Sequence, residues 1–128
     1  MRARVAIATT LAALAATTLA HANQGPAKRT PSRLLVLGTE YRLQLSRAQM
    51  KRGPALIQFV NRGEDPHDLK LSRIGTPAGR TVSVPETDSG KLVQFSAHLS
   101  RGRYRLWCSL PGHEQRGMRA TLSVRRAR

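Results

Sequence analysis

The stretch Trp107-Cys108-Ser109-Leu110-Pro111-Gly112-His113-Glu114-Gln115-Arg116-Gly117-Met118 decides how this chain is read. It carries a thiol, an imidazole and a thioether with four residues between each successive pair, and Pro111, Gly112 and Gly117 supply turn chemistry between them. The residues on both sides alternate. Before the loop, Tyr104, Leu106 and Cys108 share one parity and Arg103 and Arg105 the other. After it, Met118, Ala120, Leu122 and Val124 alternate with Arg119, Thr121, Ser123 and Arg125. Successive side chains of a strand point to opposite faces, so the loop joins two half-buried strands and both Cys108 and Met118 point into the core. His113 is held between them.

The same period recurs outward along the chain. Tyr41-Arg42-Leu43-Gln44-Leu45 and Thr81-Val82-Ser83-Val84 alternate strictly, and apolar runs lie around Leu34–Leu37, Leu56–Val60, Leu69–Leu71 and Leu92–Phe95. Turn residues separate them, as in Arg52-Gly53-Pro54, Arg62-Gly63-Glu64-Asp65-Pro66, Gly75-Thr76-Pro77 and Asp88-Ser89-Gly90. About eight short strands at near-even spacing predict an all-β, Greek-key β-sandwich. Helix formers between Ser46 and Lys51 suggest a short helical turn there, and Met50, beside Lys51 and Arg52, is given no role. Trp107 has the outward parity of Arg103 and Arg105, so it is either exposed or tucked under a loop by a local bulge.

A chain of 128 residues is one domain by its length. Its start reads differently: Arg2 and Arg4 precede an uncharged apolar and Thr run from Val5 to Ala20, and Ala20-His21-Ala22 has the small-x-small form of a cleavage site. Residues 1–22 are therefore expected to be a secretory signal peptide, 23–32 a flexible leader rich in polar residues, and 33–128 the folded domain. The run is shorter than the ~20 strongly apolar residues of a spanning helix. Export to a periplasmic or extracellular space follows.

Export makes the single cysteine informative, because Cys108 can form no internal disulfide in an oxidising compartment. An intermolecular bridge, an inert buried thiol, a nucleophile and a metal ligand are the alternatives. His67, in Asp65-Pro66-His67-Asp68-Leu69-Lys70-Leu71, shares parity with Leu69 and Leu71 and so also faces inward. Two imidazoles, a thiolate and a thioether form a soft donor set that prefers copper, and a His-His-Cys plane with a weak axial Met is the arrangement of electron-transfer sites. Such a closed set leaves no open position for a substrate, which argues against an enzyme. His98 shares parity with Gln94 and Ser96 and is read as a surface imidazole.

At these residues the chain resembles the cupredoxins, the plastocyanin and azurin family. The resemblance implies one type 1 copper ion bound by the ring nitrogens of His67 and His113, the thiolate of Cys108 and, axially, the thioether of Met118. It implies a one-electron carrier. The Cys-to-His interval is similar to azurin's and the His-to-Met interval to plastocyanin's, and Asp68 stands where those proteins have Asn. Other classes are weaker: a copper-delivery protein would want an open site, and a multicopper oxidase or nitrite reductase would need more histidines. A thiol enzyme would leave Met118 without a role.

Charge adds an expectation about partners. With 22 Lys and Arg against 7 Asp and Glu the formal charge is +15, and removing residues 1–22 takes away only Arg2 and Arg4. A field of this sign attracts acidic redox partners or an anionic membrane or wall surface. Nucleic acid is not expected, since two Phe, two Tyr and one Trp do not make a stacking platform. The domain is expected to be a monomer.

Overall fold

The computed structural model describes residues 29–77 and 81–126, so the expected signal peptide and leader residues 23–28 lie outside the described residues. Among the described residues nine strands form two sheets: β1 (Ser32–Thr39), β2 (Arg42–Leu45), β3 (Gln49–Lys51), β4 (Gly53–Asn61), β5 (His67–Arg73), β6 (Val82–Thr87), β7 (Leu92–Leu99), β8 (Gly102–Trp107) and β9 (Arg119–Arg125). One sheet has the order β2-β1-β4-β7 and the other β3-β9-β8-β5-β6. Among the described residues there is no helix.

The alternation read from the sequence is what closes the sandwich. Val36, Ile57 and Phe59 from the first sheet, and Leu106 and Leu122 from the second, have no exposed surface. They pack in one core with Leu34, Leu69, Leu71 and Val124. Each such side chain contributes about 1.5–3 kcal/mol on leaving water. The polar partners in the pattern, Arg103 and Arg105 on β8 and Arg119 on β9, stay on the outer face.

The segment expected to form a helical turn does not. Gln49–Lys51 is instead a strand that pairs parallel with β9, Met50 opposite Val124. Met50 is 4% exposed and belongs to the core, so it has the packing role the sequence reading denied it. An isolated turn of helix is costly to nucleate, whereas the open edge of β9 offers ladder hydrogen bonds and a slot for one apolar side chain. Trp107 keeps a regular ladder, opposite Lys70 and Arg119, with no bulge. Its ring lies partly covered on the outer face, under the Arg105 guanidinium 4.4 Å from its centroid.

Strand direction fixes two poles. The parallel pair β1 and β4 runs from Ser32 opposite Ala55 to Gly38 opposite Asn61. The end with Asn61 also holds the start of β5, the end of β8 and the start of β9. His67, Cys108 and Met118 are thereby delivered to one end of the sandwich.

Candidate metal centre

The loop after β8 is built by its turn residues. The His113 amide donates to the Leu110 carbonyl at 3.1 Å, with Pro111 and Gly112 (φ 79°) at the two central positions, the sequence a type II turn requires. The Met118 amide then donates to the His113 carbonyl at 3.0 Å, and the Cys108 amide to the Met118 carbonyl at 3.1 Å. The loop is thus closed on itself at the mouth of two paired strands. Cys108 and Met118 have no exposed surface, as their parity predicts, while His113 is half-buried.

His67 arrives from the other side on a loop organised by Asn61. The fully buried Asn61 donates from Nδ2 to the carbonyls of Asp65 (2.7 Å) and Thr87 (2.9 Å), and accepts at Oδ1 from the Gly63 amide (2.8 Å). The bend this imposes presents the amides of Glu64 and Asp65 to the Glu40 carboxylate, at 2.7 and 3.0 Å. The same Glu40 oxygen lies 3.1 Å from His67 Nε2. The Asp65 amide first, then the amides of Glu40 itself and Glu64 and the His67 ring, hold Glu40 at about 2, against a smaller opposing effect of desolvation. Glu40 is therefore an anion placed to accept the Nε2–H of His67, the tautomer in which Nδ1 offers its lone pair to a metal.

Three donor atoms converge. His67 Nδ1 and His113 Nδ1 are 3.2 Å apart, Cys108 Sγ is 3.6 Å from His113 Nδ1, and all three lie within 4.8 Å of one another. Donors bonded to one first-row ion at about 2.0–2.3 Å, with about 105–110° between bonds, are separated by about 3.2–3.6 Å. The trio fits a shared metal ion. Met118 lies beside it, its Cε 3.2 Å from where a Cβ on Gly38 would stand. Backbone bonds tie Met118 to Cys108 and His113 at the end of the ligand loop. Burial pushes the Cys108 thiol up, while the Leu110 and Asp68 backbones act to lower it. A metal ligand must be the thiolate, so metal binding there releases a proton.

Around this trio stand residues that the motif did not announce. Asp68, 6% exposed, lies on the face of β5 opposite His67 and Leu69, and accepts from the Ser109 amide at 2.6 Å and from the Ser109 hydroxyl. Burial works to raise its carboxyl, but the Ser109 bonds, the Cys108 side chain and Lys70, 3.4 Å away, together hold it below the ordinary carboxylate range. It braces the start of the ligand loop against β5. The Tyr41 ring meets His113 edge-on, with centroids 5.1 Å apart, and Arg116 covers Tyr41 at 4.6 Å. His98 is exposed and takes no part. In the sequence Glu40 is signalled by a carboxylate in an arginine-rich chain and by Gly63, where any Cβ would overlap the Glu40 carboxylate.

Fold and donor set together define a class: the chain has the cupredoxin fold. Its similarity to solved structures is broad at low identity. A dithionite-reduced auracyanin from Roseiflexus castenholzii superposes with a TM-score of 0.61 at 16% identity, over 76% of this chain and 99% of that one. Rusticyanin from Thiobacillus ferrooxidans gives 0.58 at 15% identity, over 75% and 79%. Auracyanin A from Chloroflexus aurantiacus, described as a "blue" copper protein, gives 0.57 at 17% identity, over 75% and 100%. No family profile and no curated protein matches the sequence.

Proposed function

We propose that this chain is an exported type 1 copper protein that carries single electrons between redox partners. The observation that supports it most is the convergence of His67 Nδ1, His113 Nδ1 and Cys108 Sγ at one buried end of the sandwich, beside the fully buried Met118. A soft His-His-Cys set with a weak thioether suits both copper oxidation states, and bound copper would supply the one-electron couple. The surrounding chain limits reorganisation: Glu40 fixes the His67 ring, Asp68 and Ser109 brace the loop, and Tyr41 packs on His113.

The role of carrier rather than catalyst follows from access. His67, Cys108 and Met118 are buried and only His113 reaches partly to solvent, beside the half-buried Leu110 and the exposed Pro111. That leaves one partly exposed ligand edge suited to electron exchange. The same burial disfavours copper delivery, which needs ligands a recipient can reach. A redox partner would dock on this edge through a small contact. Arg116 and Arg119 favour an acidic face on it, and Glu40, Glu64, Asp65 and Glu114 on the same end moderate the steering.

Carrier and delivery protein separate in one experiment. The copper-loaded protein is cycled between oxidised and reduced forms with small complexes while a high-affinity Cu(I) chelator is present. A carrier returns its full oxidised absorbance over many cycles; copper lost to the chelator on the first reduction sinks the carrier reading.

A further inference from the structure

The charge of this chain is sorted by pole. All seven carboxylate side chains lie at or near the metal end. Glu40 is in the β1–β2 turn, Glu64 and Asp65 precede β5, Asp68 is within it, Glu86 and Asp88 are at the end of β6, and Glu114 is in the ligand loop. The opposite pole holds the β3–β4 turn, the β7–β8 turn and the end of β9, which are brought together by Gly53 pairing with Leu99, Gly102 with Val124, and the Arg52 amide donating to the Arg125 carbonyl at 2.8 Å. There Lys51, Arg52, Arg101, Arg125 and Arg126 are exposed, and Arg29, Arg52 and Arg101 line one shallow cleft with His98. Among the described residues no carboxylate side chain stands at this pole.

From Gly102 to Cys108 the chain runs extended, so the poles are about 20 Å apart. At physiological salt the screening length is about 8 Å, and the two ends act independently. We infer that the arginine pole is a docking surface for anionic phospholipid head groups, which holds the domain on a membrane with its metal end turned away. Guanidinium groups pair with phosphate in a bidentate fork and never lose their charge. Ile74, 52% exposed beside Arg73 and bonded through its amide to the Arg103 carbonyl, gives this end an aliphatic tip suited to the head-group boundary. The described chain also enters the domain here, where Arg29 adds its charge to the cleft beside Arg52 and Arg101. The aromatic rings that would stack on nucleic acid are elsewhere: Tyr41 and Trp107 lie toward the metal end and Tyr104 is buried.

The inference is independent of copper and is tested on the copper-free exported chain. Vesicles of phosphatidylglycerol, vesicles of phosphatidylcholine and soluble heparin are the probes, in a sedimentation assay at low and high salt. Each Arg at an anionic surface strengthens partitioning by roughly fivefold. Arg52→Gln/Arg101→Gln/Arg125→Gln should therefore weaken binding to phosphatidylglycerol by roughly 100-fold. The matched variant Arg42→Gln/Arg62→Gln/Arg119→Gln removes the same charge near the metal end and should weaken it severalfold at most. Phosphatidylcholine should bind neither the parent nor the variants. Equal losses in the two triple variants would show a nonspecific effect of net charge and overturn the assignment. So would binding to heparin with none to phosphatidylglycerol vesicles, which would make the partner a soluble polyanion.

Discussion

Gly38 sits where the first sheet meets the ligand loop, and replacing it with Ala is a sharp probe of the packing beneath the metal centre. The added Cβ would stand 3.0 and 3.1 Å from Phe59 Cε2 and Cζ and 3.2 Å from Met118 Cε. Its backbone is not in the left-handed region, so no conformational strain enters. Two effects oppose each other. Loss of glycine's freedom in the unfolded chain stabilises by about 0.4–1 kcal/mol, and overpacking a filled core costs about 1–3 kcal/mol. Which wins depends on what can move. Phe59 has no exposed surface and is wedged between the sheets, while the thioether of Met118 can rotate. The ring edge therefore sets the cost and Met118 absorbs the rest. A net loss of about 0.5–2 kcal/mol follows, a fall in melting temperature of roughly 3–12 °C for a domain of this size. Denaturant unfolding of copper-free protein measures the stability, and the visible spectrum of the copper-loaded variant should shift relative to the parent as Met118 is displaced. A variant as stable as the parent with an unchanged spectrum would refute this packing.

Further outcomes follow from the residues around the trio. Glu40→Gln removes the anion at His67 Nε2, so the reduction potential of bound copper should rise, and nitrogen chemical shifts of the copper-free protein should show a mixed His67 tautomer. Because the folded-state value of Glu40 is lowered from 4.5 to about 2, the stability it contributes is complete above 4.5 and is lost as pH falls toward 2. The stability difference between the parent and the Glu40→Gln variant should be flat above that window and shrink through it; a difference growing on acidification would contradict the carboxylate's role. Met118→Gln should retain copper with a lower potential, while His67→Ala should lose most of the affinity, since an axial thioether binds weakly. Equal copper loss from both would show that Met118 is not axial.

The parts legible in the sequence were those governed by period and turn chemistry. Alternation placed Cys108 and Met118 inward on paired strands, and Pro111 and Gly112 announced the turn that carries His113. Parity also turned His67 inward and His98 outward. What stayed hidden depends on contacts between distant segments. The strand at Gln49–Lys51 exists because β9 has an edge to offer, which local propensity does not report. The burial of Asp68 comes from Ser109 and Lys70, which close over it on the face the period reads as outward. Glu40 joins His67 across 27 positions of chain, through a bend organised by Asn61. The sorting of carboxylates to one pole appears only when strand direction turns a linear list of charges into two ends.

Whether His67, Cys108 and His113 hold one copper ion through a thiolate bond is read from the visible spectrum of the purified protein titrated with Cu(II). An intense thiolate-to-copper band should grow to one equivalent and stop. Cys108→Ser should never develop it, even where some copper still binds through the two imidazoles. A parent protein that stays colourless in air with Cu(II) bound, or a Cys108→Ser variant that keeps the band, would contradict the site.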